Sequence, residues 1–318
     1  QHFIGLGNAL LAVGAYDDAI KQFTSAVEIV PNLPMAHINR GVAYRLAGRY
    51  DRAIADLSKG IDLGSNRATD YFERGIAFSF AGDPKRAIGD YSAAIQLNPK
   101  IPQAHLNRGL AFEQTGDLRK AIDDFTAAIA LNPRDVWAIY RRGALYFFVH
   151  ADYAKAMADL DLAVDLNPNF AAAQIGRGHT LFAQGRFSES ALALTKATEL
   201  GDQAAGLWRD LADARAGRNI VARWRNPVSM FRYLGWPEQM VETLSSKDEA
   251  YDTMRASQIF DANQRVGMVE MHFLLGQIHL INGERRKAKK QFQRAVSYES
   301  PPTTAFPLAR AEIKRLEN

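Results

Sequence analysis

Cysteine is absent from the 318 residues, which excludes a disulfide framework, a thiolate zinc site and a cysteine nucleophile. Its absence also suits an oxidising compartment. No apolar run approaches the ~18 residues that a membrane-spanning helix requires. Catalytic signatures are missing as well: there is no G-x-x-x-x-G-K-[ST], H-E-x-x-H, G-x-S-x-G or S-x-x-K. Gly5-Leu6-Gly7 begins like a dinucleotide fingerprint, but Leu10 stands where the third glycine belongs and no strand precedes it. His272 and His279 lie seven apart on one helical face, at positions where large core side chains belong, and we expect no metal site there. We therefore expect no enzyme and no cofactor.

What is present is the profile of a folded chain, with 47% hydrophobic and 23% charged residues. The net charge of +4 is unevenly placed. Residues 1–200 hold 21 basic and 21 acidic side chains, so the excess lies in 201–318, with 18 against 14. Gln1 opens inside a helical pattern and is not Met. We expect that a preceding segment has been removed, such as a signal peptide or lipid anchor, which would be the chain's sole membrane attachment.

Self-similarity dominates the first two thirds. Gly7, Gly41, Gly75, Gly109 and Gly143 recur every 34 residues, and Gly178 follows after 35. Ala19, Ala53, Ala87, Ala121 and Ala156 follow in phase, the last displaced by one residue added near Val149–Ala151. Large residues come next (Phe23, Leu57, Tyr91, Phe125, Leu160, Leu194), and Pro31, Pro99, Pro133 and Pro168 close four of the copies. Small residues let two helix axes approach, large ones fill the space beside them, and proline ends the second helix.

This pattern resembles the tetratricopeptide-repeat (TPR) family. The resemblance implies an all-α fold: a right-handed TPR α-solenoid of antiparallel helix pairs, with a non-repeat helical insert and a C-terminal capping helix. Six tandem repeats occupy 1–201, a partial repeat plus irregular insert 202–268, and a final repeat with capping helix 269–318. A single hairpin cannot bury its own apolar face, so stacking is obligatory.

Arg40, Arg74, Arg108, Arg142 and Arg177 precede the repeat glycines, while Asp56, Asp90, Asp124 and Asp159 sit on second helices. We expect each Asp to pair with the next repeat's Arg, 18 residues on (Asp56–Arg74, Asp90–Arg108, Asp124–Arg142, Asp159–Arg177), bracing one repeat against the next.

The helical period places a second set of positions opposite the hairpin core. Ile38, Phe72, Ile76, Phe80, Leu106, Tyr140, Phe147 and Phe182 form an apolar strip, with Asn39, Asn107, Trp137 and Arg141 as its polar and aromatic remainder. Two readings fit: a concave groove that takes a peptide or helix, or packing between successive first helices. A clamp for a C-terminal carboxylate is not expected, because Thr69, Phe72 and Trp137 stand where it needs basic residues.

The tail is basic. Arg218, Arg223, Arg225 and Arg232 form one cluster, and Arg286, Lys287 and Lys290 another. Each would suit an acidic partner or serve as a solvated face, and no nucleic-acid motif accompanies them. Residues 231–244, with Phe273-Leu274-Leu275-Gly276, Gly283 and Phe306…Arg310, are similar to bacterial new lipoprotein I-type adaptors. That resemblance implies a periplasmic, membrane-anchored adaptor that forms a homodimer and presents substrates or hydrolases to a tail-specific protease, so that such a protease or a murein hydrolase is the expected partner. The alternative is a cytoplasmic TPR module with peptide ligands.

Overall fold

The computed structural model describes residues 2–218, 262–298 and 303–317. Among the described residues it contains sixteen α-helices, one π-helical turn and no strand. They fall into two compact units, 1–138 and 139–318.

The first unit holds α1 (His2–Ala12), α2 (Tyr16–Ile29), α3 (Pro34–Leu46), α4 (Tyr50–Asp62), α5 (Ala68–Phe80), α6 (Pro84–Leu97), α7 (Pro102–Thr115), α8 (Leu118–Leu131) and the start of α9 (Val136–Leu145). Proline opens α3, α6 and α7, where its missing N–H and fixed φ cost nothing. The Asp83 carboxylate accepts the Arg86 backbone N–H at 3.0 Å and caps α6. Gly116, at φ 85°, ends α7 in the left-handed region.

From α1 to α8 each odd-numbered helix packs on its successor, and α2, α4 and α6 each pack on the first helix of the next repeat. The repeat glycine sets the spacing within a pair. A Cβ on Gly109 would lie 2.7 Å from the Phe125 ring, so any larger residue would push α7 and α8 apart. Burial is parcelled into small cores, one of which comprises Ile38, Ala53, Leu57 and Ala77.

The Arg–Asp ladder differs from expectation: it runs within repeats. Arg40, Arg74 and Arg108 each grip the Asp 16 residues ahead through two hydrogen bonds, Arg108 to Asp124 at 2.8 and 2.7 Å. The remaining guanidinium nitrogen reaches back 16 residues to a hydroxyl on the preceding second helix, at Thr24, Ser58 and Ser92. One arginine thus ties two second helices together across its own first helix. The Asp56–Arg74 type of pairing fails because the position 16 before each Arg holds the hydroxyl, while the Asp two residues earlier faces its own hairpin.

The second unit contains the rest of α9, a π-helical turn (Tyr146–His150), α10 (Tyr153–Leu166), α11 (Ala171–Ala183), α12 (Phe187–Glu199) and α13 (Ala205–Arg215). After the undescribed stretch come α14 (Ala262–Ile281), α15 (Arg285–Ser297) and α16 (Ala305–Glu317). The residue added in the fifth repeat is absorbed by the π-helical turn, after which Ala151 adopts φ 48° where earlier repeats use glycine. Here too Arg142 holds Asp159 of its own repeat, at 2.8 Å through each of two nitrogens. Arg177 finds Ala193 ahead of it and turns back to Asp161 at 2.6 Å, the place of Ser or Thr in earlier repeats.

Burial in this unit is pooled. Phe182, Leu194, Leu211, Phe273, Phe292 and Leu308 belong to one core. The last helix, α16, packs on α14 and α15 and also returns to α11. Glu312, 1% exposed, receives Arg215, Gln277 Nε2 at 3.0 Å and Arg315 at 2.6 Å. Arg315 also donates to the Phe182 and Ala183 carbonyls at 3.2 and 2.7 Å, satisfying the open end of α11.

Candidate functional site

In the first unit, the strip opposite the hairpin core resolves into a defined depression of about 260 Å³ on α5, α6 and α7. Ile76, Leu110 and Ala111 give it an apolar floor. Ser79, Tyr91, Asn107 and Gln114 place polar groups around it, and Phe80 stands at its edge. Burial pushes the Tyr91 phenol up to about 12, against the opposing pull of hydrogen bonds from Ser79 and Asn107. The hydroxyl therefore stays protonated and lies 3.0 Å from Ser79 Oγ. Phe80 is 65% exposed, with one ring face stacked on Tyr50 at 5.1 Å, so it is presented rather than free to turn.

The other expected groove residues of this unit vary in placement. Phe72 is half-buried beside Tyr91, and Leu106 is likewise half-buried. Asn39 donates to Asn8 at 3.0 Å, a first-helix to first-helix contact. Trp137 is 58% exposed. Ile38 is a correction: it is buried, its side chain filling the space that a Cβ on Gly60 would occupy. Glycine there lets isoleucine sink into its own hairpin.

Two more corrections fall in the second unit, where Phe147 and Phe182 are core residues. Phe182 meets Phe187 and Phe273. Phe147 meets Phe148 and Tyr153, whose hydroxyl donates to the Pro307 carbonyl. The C-terminal helices cover the face on which earlier repeats carry Arg45, Ser79 and Glu113. Tyr140 and Arg141 are half-buried, and Tyr140 packs edge-on against Phe170 at 5.1 Å.

Of the basic tail, Arg223, Arg225 and Arg232 lie outside the described residues, as does the segment 231–244. Arg218 is held by Asp213 at 3.1 Å, and Lys287 by Glu284 at 2.8 Å. Arg286 and Lys290, with Arg285 and Lys289, line an open depression of about 320 Å³ on α15. Lys289 also meets Glu317 at 3.1 Å.

Among the described residues no group of three or more His, Cys, Asp and Glu side chains could hold a metal, and no helix is long and apolar enough to cross a membrane. His272 and His279 are instead bonded to Gln291 and Glu284. His37 and His105 each donate Nε2–H to a proline carbonyl and set Nδ1 beside a ladder aspartate.

Stacked helical hairpins with a lined face define an all-α repeat scaffold, of a class that generally mediates protein or peptide binding. The tetratricopeptide-repeat profile matches residues 4–68, 72–136, 108–169 and 141–205, and a second such profile matches 269–301. The chain belongs to the tetratricopeptide-repeat family. No curated protein matches it. Its fold is similar to the C-terminal part of a TPR repeat-containing protein from Cytophaga hutchinsonii, at TM-score 0.56 and 17% identity, covering 96% of this chain and 98% of that one. A tetratricopeptide repeat protein from Parabacteroides merdae matches at 0.53 and 15%, covering 98% of each. YrrB, described as a TPR protein with an unusual peptide-binding site, matches at 0.49 and 24%, covering 54% of this chain and 88% of its own.

Proposed function

We propose that the protein is a non-catalytic adaptor that holds a partner segment against the α5–α7 face. The observation that supports this is the depression with the apolar floor of Ile76, Leu110 and Ala111 beside Phe80. Its volume suits one large apolar side chain. Asn107 and Gln114, both carrying a donor and an acceptor, suit the backbone of the segment that delivers it.

The finer reading, a bacterial periplasmic adaptor that serves a protease or cell-wall hydrolase, draws its support from the resemblance in the tail. A photo-reactive residue at Gln114 of the full chain, expressed in its native host, tests the depression. A defined cross-linked partner is expected. It should be lost when Phe80→Ala and Asn107→Ala are combined in the same chain. Cross-linking that is indifferent to those two substitutions would show that the depression is not the site.

A further inference from the structure

In charge, α15 departs from the six second helices before it. α2, α4, α6, α8, α10 and α12 each carry one or two basic side chains and at least one acidic one. α15 carries six basic side chains and none acidic. Even the place of the ladder aspartate, just before the large core residue, holds Gln291, whose amide oxygen bonds to His272 Nδ1 at 2.7 Å. This distribution works against the helix. Arg285 and Lys289, like Arg286 and Lys290, are equal charges four residues apart, a repulsive spacing. Arg285, Arg286 and Lys287 fill the first turn, where the helix dipole disfavours cations. Glu284 answers Lys287 at 2.8 Å and Glu317 answers Lys289 at 3.1 Å. Arg285 and Arg286 are exposed and have no ion-pair partner among the described residues.

The same side chains converge. Arg285, Arg286, Lys289 and Lys290 border one open depression of about 320 Å³, with half-buried Leu316 of α16 as its apolar part. We infer that this depression docks an acidic segment of a partner protein, its carboxylates on Arg285 and Arg286 and an apolar side chain on Leu316. A guanidinium takes a carboxylate through two parallel N–H···O bonds, and the incoming charge relieves the repulsion along α15. A lipid surface fits less well. α15 turns Ala288, Phe292 and Ala295 into the core, so it has no apolar face to insert. Nucleic acid also fits less well, since no aromatic ring lines the depression for a base to stack on. The inference is independent of the α5–α7 depression.

Fluorescence anisotropy of the labelled peptide acetyl-Gly-Glu-Glu-Leu-Glu-Glu-Gly-amide, titrated with the full chain, tests it. Saturable binding is expected, weakening as salt rises from about 50 to about 200 mM. The peptide with Gln for Glu should bind at least ~tenfold more weakly, the value of one charge-assisted pair. Arg285→Glu and Arg286→Glu combined should weaken the Glu peptide by a similar factor. Arg119→Glu and Arg134→Glu combined, the same change of charge on the exposed surface of the first unit, should leave it unchanged. Equal loss in both double variants would reduce the effect to net charge and overturn the inference. So would the absence of saturable peptide binding, or tighter binding to oligothymidylate or to vesicles of equimolar phosphatidylglycerol and phosphatidylcholine. Glutamate is favoured in a first helical turn, so the α15 variant is expected to fold. The Glu and Gln peptides are compared on the unaltered chain, which keeps the test decisive even if it does not.

Discussion

Substituting the ladder should show which aspartate each arginine serves. Arg108 lies 2.7 Å from Asp124, with 21% of its side chain and 6% of the aspartate's exposed. At that distance two unit charges attract by about 6 kcal/mol at an effective dielectric constant of ~20. Desolvating them offsets much of this. Removing one partner of a buried pair costs about 3–5 kcal/mol, and Arg108's exposure puts the expected loss near ~3. Asp124→Ala also deprives His105 Nδ1 of its neighbour, 3.4 Å away. Arg108→Ala releases the bond to Ser92. Each single variant should therefore be costly, while the double variant costs less than their sum. A coupling of about 2 kcal/mol is expected for Arg108/Asp124, against less than ~0.5 for Arg108/Asp90, whose members do not share a bond. Repeat arrays depart from two-state unfolding, so urea melts should be read beside amide hydrogen exchange of α7 and α8. A larger coupling for Arg108/Asp90 would refute the within-repeat assignment.

Acid should weaken the second unit in a definable window. Burial holds both His179 and His272 at pKa values of about 4. The unfolded chain takes up their protons near pH 6.5 and the folded chain does not, so stability is complete above that pH and falls as pH drops toward 4. The slope should reach about 2 kcal/mol per pH unit near pH 5. Thermal melts at pH 7, 6 and 5 check this, and melting that is flat across the window would contradict it. Glu312→Ala leaves Arg215 and Arg315 without their shared carboxylate and should cost roughly 3–5 kcal/mol. It should be visible as faster hydrogen exchange over 305–317 with α7 unchanged; equal exchange in both chains would count against the clasp.

Much of the fold was legible because its determinants are local and repeated. A glycine 16 residues before an aromatic or leucine, a turn glycine between them and a closing proline each act within one hairpin, so six copies reinforce one reading. The one-residue addition near Val149–Ala151 was equally visible; its π-helical form was not, since sequence length alone does not say how a turn absorbs an extra residue. The ladder was half legible. The residues were right, but an offset of 16 and one of 18 differ by about half a helical turn, and only the rotation of each second helix chooses between them.

The groove divides along the same line. Ile76, Phe80 and Asn107 line the α5–α7 depression as their positions suggest. Ile38 does not, because a glycine on the opposing helix leaves room for it. Phe147 and Phe182 do not, because helices far along the chain cover them. Arg215, Gln277, Glu312 and Arg315 had no sequence signal at all, since their contacts span up to 133 residues. Repetition with a 34-residue period determined that this chain is a TPR scaffold, through contacts between neighbours. That Phe147 and Phe182 are covered was decided by the tertiary return of α16 onto α11, with Phe273 of α14 against Phe182, a long-range packing choice that no local period encodes.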